Sequence, residues 1–233
     1  MNPHAVTKDF ERALCEYTGA PYAVAVNSCT MALLLAVAWF IRGEKHVAPS
    51  RFDLGYSNGS YGGTRGPHIE IPKRTYISVP MSIIHAGGRP TFRDEDWKGL
   101  YQLRPLPVWD SARYFTSGMY ASNRPEHVPS KWRCIDSMLC VSFHASKTLG
   151  LEQGGAILHD NPEADAWLRR ARFDGRTEGV VPKDDTFNQI GYHCYLNPST
   201  AAQGVLRLHS LPRHNDPLPN DDYPDLSTMD IFK

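Results

Sequence analysis

One stretch near the start of the chain restricts the fold class. Tyr22 to Val26 is a short valine-rich run, Asn27-Ser28-Cys29-Thr30 follows it, and Met31 to Ile41 continues without a charge. A brief apolar run bounded by turn residues reads as a buried strand, and the longer uncharged run reads as a buried helix. That helix is too short to span a bilayer. Strand, hydroxyl-bearing turn and buried helix open an α/β unit, so helices covering a mostly parallel sheet are expected. The 233 residues suit one large domain. With 25 basic and 25 acidic residues, the formal net charge is zero, which argues against a binder held to nucleic acid or membrane by bulk charge. A hydrophobic fraction of 41% excludes wholesale disorder. The five cysteines (Cys15, Cys29, Cys134, Cys140, Cys194) are odd in number and form no Cys-x-x-Cys pair. Met1 to Thr18 has no charged-then-apolar leader, and both features suit a reducing cytoplasm.

Val6, Phe10, Leu14 and Tyr17 recur at helical spacing, and Gly19 with Pro21 ends the pattern. Further strands are expected at His68 to Ile71, Pro90 to Arg93, Leu106 to Trp109, Leu139 to Phe143 and Ala156 to His159. Helices are expected at Val79 to His85, Pro162 to Phe173 and Pro198 to Leu211. Residues 43–68 form a Gly/Tyr/Arg-rich loop insertion in which Arg51, Tyr56, Tyr61 and Arg65 stand among glycines. Such a loop serves either as a mobile surface insertion or as a contact for nucleic acid or an anionic ligand. Residues 212–233 are rich in Pro and Asp and are expected to be an extended or disordered tail.

Three places carry candidate chemistry. In Val141-Ser142-Phe143-His144-Ala145-Ser146-Lys147 a lysine lies just past a strand, where α/β sheets present ligand groups. Desolvation there would lower its pKa and make it an imine-forming amine, although a lysine in that position is ordinarily a solvated loop residue. Val108-Trp109-Asp110 ends another strand in a carboxylate, which if buried needs a cation or several donors. A turn Asp is the plain alternative. Ser28-Cys29-Thr30 at a helix start offers free amides, the positive helix end and two hydroxyls to a phosphate, or simply an N-cap. The scattered histidines and cysteines show no metal-ligand spacing.

The order of these pieces is more specific than any one of them. FERALCEYTGAPYAVAVNSCTMALLLAV, RTYISVPMSIIHAGGRPTFRD, VWDSA, SFHASKTLGLEQGGAIL, RRARFDGR and IGYHCYLNPSTAAQGVLRL together resemble the DegT/DnrJ/EryC1/StrS family of fold type I pyridoxal-phosphate enzymes. The likeness is to a short, phage-type member of that sugar aminotransferase family. It implies a three-layer α/β/α fold, with residues 1–211 as the cofactor-binding large domain and the small C-terminal domain essentially missing. The cofactor implied is pyridoxal 5'-phosphate. Lys147 matches the lysine of the internal aldimine, and Asp110 matches the acid paired with the pyridinium nitrogen. Tyr76 matches the aromatic that stacks on the ring. Ser28, Cys29, Thr30 and Ser142 match the phosphate ligands. Arg113 stands where relatives often carry Gln or His near the cofactor hydroxyl, which leaves its role open. The family's active site is shared across a homodimer, and His193 lies in the segment that reaches the partner's cofactor.

The resemblance implies an aminotransferase acting on a sugar- or nucleotide-linked keto group with an amino acid as donor. The runner-up is a pyridoxal-phosphate decarboxylase of an amino acid attached to a modified DNA base, motivated by the compact chain and the basic loop. The third possibility is a catalytically dead binding protein. The enzyme readings are preferred because both the imine lysine and the ring acid are retained.

Overall fold

The computed structural model describes residues 4–42, 66–120 and 137–233. The expected loop at 43–68 therefore lies outside the described residues except for its last three positions. Five α-helices are described: α1 (Ala5–Thr18), α2 (Cys29–Arg42), α3 (Ser78–Ala86), α4 (Pro162–Ala171) and α5 (Pro198–Ser210). The strands are β1 (Tyr22–Val26), β2 (His68–Pro72), β3 (Arg89–Arg93), β4 (Tyr101–Leu103), β5 (Val108–Ser111), β6 (Met138–Ser142) and β7 (Gly155–His159). Helix ends follow local chemistry. Gly19 ends α1 in the left-handed conformation (φ 76°), its N–H donating to the carbonyl of Cys15. Asn161 caps α4 by accepting from the amides of Glu163 and Ala164, with acids in the first turn and Arg169 and Arg170 in the last.

A five-stranded sheet runs in the order β1-β7-β6-β5-β4, and β2 and β3 form a separate parallel pair. Alternation along the strands builds two cores. Val24, Val26, Val108, Met138, Cys140 and Ile157 face α2, α3 and α4. Ala23, Ala25, Trp109, Leu139, Val141 and Leu158 face α1 and α5. This period-two split places helices on both faces, giving the three-layer α/β/α arrangement.

The expectation of a mostly parallel main sheet needs correction. Only β5 and β6 are parallel in it; β1–β7, β6–β7 and β4–β5 are antiparallel. A parallel neighbour requires a crossover, normally helical. The short 104–107 link between β4 and β5 and the helix-free loop between β6 and β7 return the chain directly instead. The strand expected to end at Trp109 extends through Asp110 to Ser111.

The tail also differs from expectation. It is docked, extended at first and then folded into short helical turns at Leu226–Thr228 and Asp230–Phe232: Tyr17 donates to the carbonyl of Pro212 at 2.6 Å, and the amide of Leu226 donates to the carbonyl of Lys73 at 2.9 Å. Leu226 is fully buried. No described helix is long and apolar enough to cross a membrane.

Candidate active site

The site is assembled where β5 and β6 end against the N-terminus of α2. Register sets Asp110 beside Cys140 on β6 and beside Tyr101 on β4. Asp110 is buried, and its carboxylate accepts from the Tyr101 hydroxyl at 2.7 Å and from the amide of Ala112 at 2.9 Å. Because Tyr101 donates to Asp110, its oxygen accepts from the buried Thr75 hydroxyl at 2.6 Å. Burial, reinforced by Asp110, pushes the Tyr101 phenol well above its usual range, so it stays a donor. Burial also raises Asp110, against the Tyr101 and Ala112 hydrogen bonds and the charge of Lys147. Two donors thus leave this carboxylate under-compensated.

The loop after β6 carries Lys147, whose ammonium group makes no hydrogen bond or ion pair among the described residues. Desolvation and the nearby Arg113 guanidinium hold its amine below the usual lysine range, while Asp221, Asp110 and Cys29 pull the other way. Lys147, Asp110, Arg113 and Cys29 therefore act on one another electrostatically.

The glycine pair after that loop positions the helix. Gly154 has φ 139°, a region that side chains avoid. Gly155 lies opposite Ser142, and a Cβ there would stand 2.6 Å from the amide nitrogen of Cys29. Its bare backbone thus lets Ser28 and Cys29 sit directly on the sheet, beside Ser142. Ser28 caps α2, accepting from the amide of Met31 at 3.2 Å, so the earlier amides of the first turn have no partner within the helix. Thr30 meets Ser78 of α3 hydroxyl to hydroxyl at 2.9 Å, which converges two helix starts on one place. A helix N-terminus alone would favour a Cys29 thiolate. Burial, Asp110 and Cys140 outweigh it and push this thiol well up, so Cys29 is a neutral packing residue that offers its backbone.

The remaining predicted residues are placed differently. Tyr76, next to Thr75, is 59% exposed at the start of α3. Arg113 is buried and bonds to Asp221 and Tyr223 of the tail. His193 is exposed, its Nδ1 2.9 Å from Asp174, and the carbonyl of its neighbour Cys194 accepts from the amide of Asn27, next to Ser28. Sequence reasoning missed Tyr101, Thr75 and Ser78. Tyr101 was hidden because β4 has only three residues.

Comparison with known proteins adds lineage to this geometry. The curated relatives matched include UDP-4-amino-4,6-dideoxy-N-acetyl-beta-L-altrosamine transaminases from two strains of Campylobacter jejuni, 27% and 26% identical over 223 residues. Each alignment covers 87% of this chain and 56% of the relative, so the chain spans about half the length of the curated relatives it matches. Among solved structures, Helicobacter pylori PseC, an aminotransferase of pseudoaminic acid biosynthesis, superposes with a TM-score of 0.61 at 19% identity. That match covers 89% of this chain and 58% of PseC. The sugar aminotransferase CalS13 from Micromonospora echinospora gives 0.63 at 18%, over 89% of this chain and 61% of its own. These likenesses establish a fold type I architecture. The profile of the DegT/DnrJ/EryC1/StrS aminotransferase family matches residues 4–105 and 133–217, spans that include Ser28, Cys29, Thr30, Tyr76, Ser142, Lys147 and His193 but not Asp110 or Arg113. Over most of its length, then, this chain belongs to the DegT/DnrJ/EryC1/StrS aminotransferase family.

Proposed function

We propose that the chain binds pyridoxal phosphate, the cofactor of its family, and moves an amino group between an amino acid and a keto group on a nucleotide-linked sugar. The observation that carries this reading is a buried strand-end carboxylate, Asp110, held by Tyr101 and Ala112 and raised by burial, together with Lys147, an amine with no partner among the described residues and a lowered pKa. The donor set fits the cofactor: a carboxylate with spare acceptor capacity for a ring N–H, a free amine for the carbonyl carbon, and hydroxyls with helix-start amides for a phosphate. When bound, the cofactor's protonated ring supplies an electron sink for the pair released at the substrate carbon.

Each residue then has a stated task. Asp110, held in place by Tyr101 and Ala112, keeps the ring nitrogen protonated. Ser28, Thr30, Ser142 and the first amides of α2 hold the phosphate, where the helix dipole favours an anion. Cys29 contributes its amide, and Tyr76 presents an exposed ring for stacking. Lys147 Nζ, uncharged more readily than an ordinary lysine, takes and returns the proton at the substrate carbon.

The catalytic unit in this proposal is a homodimer. Val181, Phe187 and Ile190 are large apolar residues exposed on the segment that leads to His193, as expected of a surface covered by a second copy. His193 would serve the partner's phosphate. The domain division at residue 211 and a cytoplasmic location belong to the same proposal. The decarboxylase alternative drew on residues 43–68, and no observation on the described residues favours it.

The test is a near-visible spectrum of the protein with added pyridoxal phosphate, followed by borohydride. The expected result is an absorption band whose reduction fixes the cofactor on Lys147, with no adduct in Lys147→Ala. Glutamate should then bleach the band without releasing carbon dioxide. Carbon dioxide released from an oligonucleotide-linked amino acid would transfer the reading to the decarboxylase. No band at any cofactor concentration would leave only a binding protein.

A further inference from the structure

The tail and Arg113 form a second feature beside Lys147. The turn after β5, closed by Ser111 Oγ donating to the carbonyl of Tyr114 at 2.8 Å, leaves Arg113 only 8% exposed. Its guanidinium is nevertheless used on one side. Nη1 donates to Oδ2 of Asp221 at 2.7 Å and to the Tyr223 hydroxyl at 3.3 Å, whereas Nε is buried with no hydrogen-bond partner. A carboxylate native to an arginine site usually takes two parallel N–H donors. Asp221 takes one from Arg113 and a long one from the Tyr223 hydroxyl at 3.2 Å, both on Oδ2, and its side chain is 64% exposed, so solvent screens the contact.

The rest of the strap holds Asp221 in place without filling the site. The amide of Leu218 donates to the carbonyl of Arg113 at 2.8 Å, and Asn220 donates to the carbonyl of Trp97 at 2.7 Å. The Tyr223 ring stacks on Trp97, with centroids 6.2 Å apart. Arg113 lies three residues past Asp110, just beyond the end of β5, and it and Asp221 act on the Lys147 amine electrostatically in opposite directions. The family match ends at residue 217, so Asp221 and Tyr223 come from beyond it.

We infer that Arg113 is the receptor for a carboxylate of the amino donor, and that Asp221 stands in for that carboxylate until the donor displaces it. The inference rests on the proposed aminotransferase reading for the identity of the ligand. Once Asp221 leaves Nη1, Nη1 and Nη2 together give the incoming carboxylate the two parallel bonds of which Asp221 makes only one. Displacement frees Tyr223 from Arg113, so donor binding and strap release are one event.

The test uses glutarate, a dicarboxylate with no amine, titrated calorimetrically into the full chain with and without pyridoxal phosphate. Hydrogen exchange over residues 218–223 is followed in parallel. Glutarate should bind the unmodified chain and raise exchange in the strap. Asp221→Asn, which removes the competitor, should tighten binding by about two- to fivefold. Arg113→Gln should weaken it about tenfold or more, and Arg113→Lys should recover only part, because an ammonium group has no fork. Equal glutarate affinity in all these variants, or Arg113-dependent binding of uridine diphosphate but not glutarate, would overturn the inference. Arg113-dependent glutarate binding in a chain whose Lys147 traps no cofactor would uphold the subsite and remove the aminotransferase reading. Cofactor trapping with glutarate binding indifferent to Arg113 would do the reverse.

Discussion

Two charged clusters among the described residues differ in how their central groups are paired, Glu11 completely, although Asp165 Oδ1 and Glu178 Oε1 around it have no hydrogen-bond partner. At the α1–α4 side, Glu11 accepts from the amide of Ala25 at 2.9 Å, from Arg169 at 2.6 Å and from Arg172. Arg172, 2% exposed, also donates to the carbonyl of Ala25 at 2.7 Å and to Glu178 at 3.4 Å. Arg169 closes the set by donating to Asp165 at 2.7 Å. Glu11 thus has donors on both oxygens, and its partners tie two helices to β1. At the other cluster half-buried Lys147 has no hydrogen-bond or ion-pair partner among the described residues, burial raises Asp110 against its two donors, and Arg113 uses one side of its fork. Buried charge whose hydrogen bonds are made within the chain holds layers together. Buried charge with capacity left over marks a place where something else binds.

The sharpest way to break that contrast is Glu11→Ala. It leaves two guanidinium groups facing an emptied site, one of them fully buried, and should cost about 3–5 kcal/mol in chemical denaturation. A loss below about 1 kcal/mol would mean that the cluster is ornamental and that the contrast fails. Gly155→Ala comes next. Its added Cβ meets Ser28 and Cys29 backbone at 2.7 and 2.6 Å, so α2 must lift from the sheet, at about 1–3 kcal/mol. Because that helix start is the proposed phosphate cradle, pyridoxal-phosphate affinity should fall more than stability does. Parallel equilibrium dialysis and denaturation would separate the two effects.

How much of this could be read in the sequence depends on whether the determinant is local. Tyr22 to Ile41 reveals its strand and helix because valine enrichment and an uncharged run are properties of neighbouring residues. Lys147 and Asp110 are legible as strand-end groups for the same reason. Strand direction is not local: the Ala156 to His159 run reads alike in either sense, and only the helix-free loop from β6 makes its pairing antiparallel. Tyr101 escaped notice because its importance comes from register, opposite Asp110, on a strand of three residues. Composition suggests that the tail is extended or disordered but cannot show that it docks. Proline and aspartate describe a segment that builds no core, but a few anchors such as Leu226 and Asn220 hold it against pre-formed partners.

The smallest expected effect tests the comparison from the side of the site. Burial raises the Asp110 carboxyl above its ordinary value of 3.8, so the folded chain disfavours its ionised form. A group with a raised folded pKa binds more protons when folded, and the stability it confers is present below the unfolded pKa and lost as pH rises through the folded one. Asp110→Asn removes that charge; its one oxygen still accepts from Ala112, and its amide group replaces the oxygen that faced Tyr101, as the hydroxyl of a protonated carboxyl would. The variant should match the parent chain in acid and exceed it in neutral solution, by about 1 kcal/mol or less, read from thermal unfolding across pH. Asp165 provides the opposite sign. Despite burial, the neighbouring His159 and the hydrogen-bonded Arg169 lower its carboxyl, so Asp165→Asn should lose stability above the ordinary carboxylate range and recover parity as pH falls. If the two substitutions gave pH profiles of the same sign, the Asp110 carboxylate would be stabilised as well as that of Asp165. The spare capacity that points to a cofactor would then be absent.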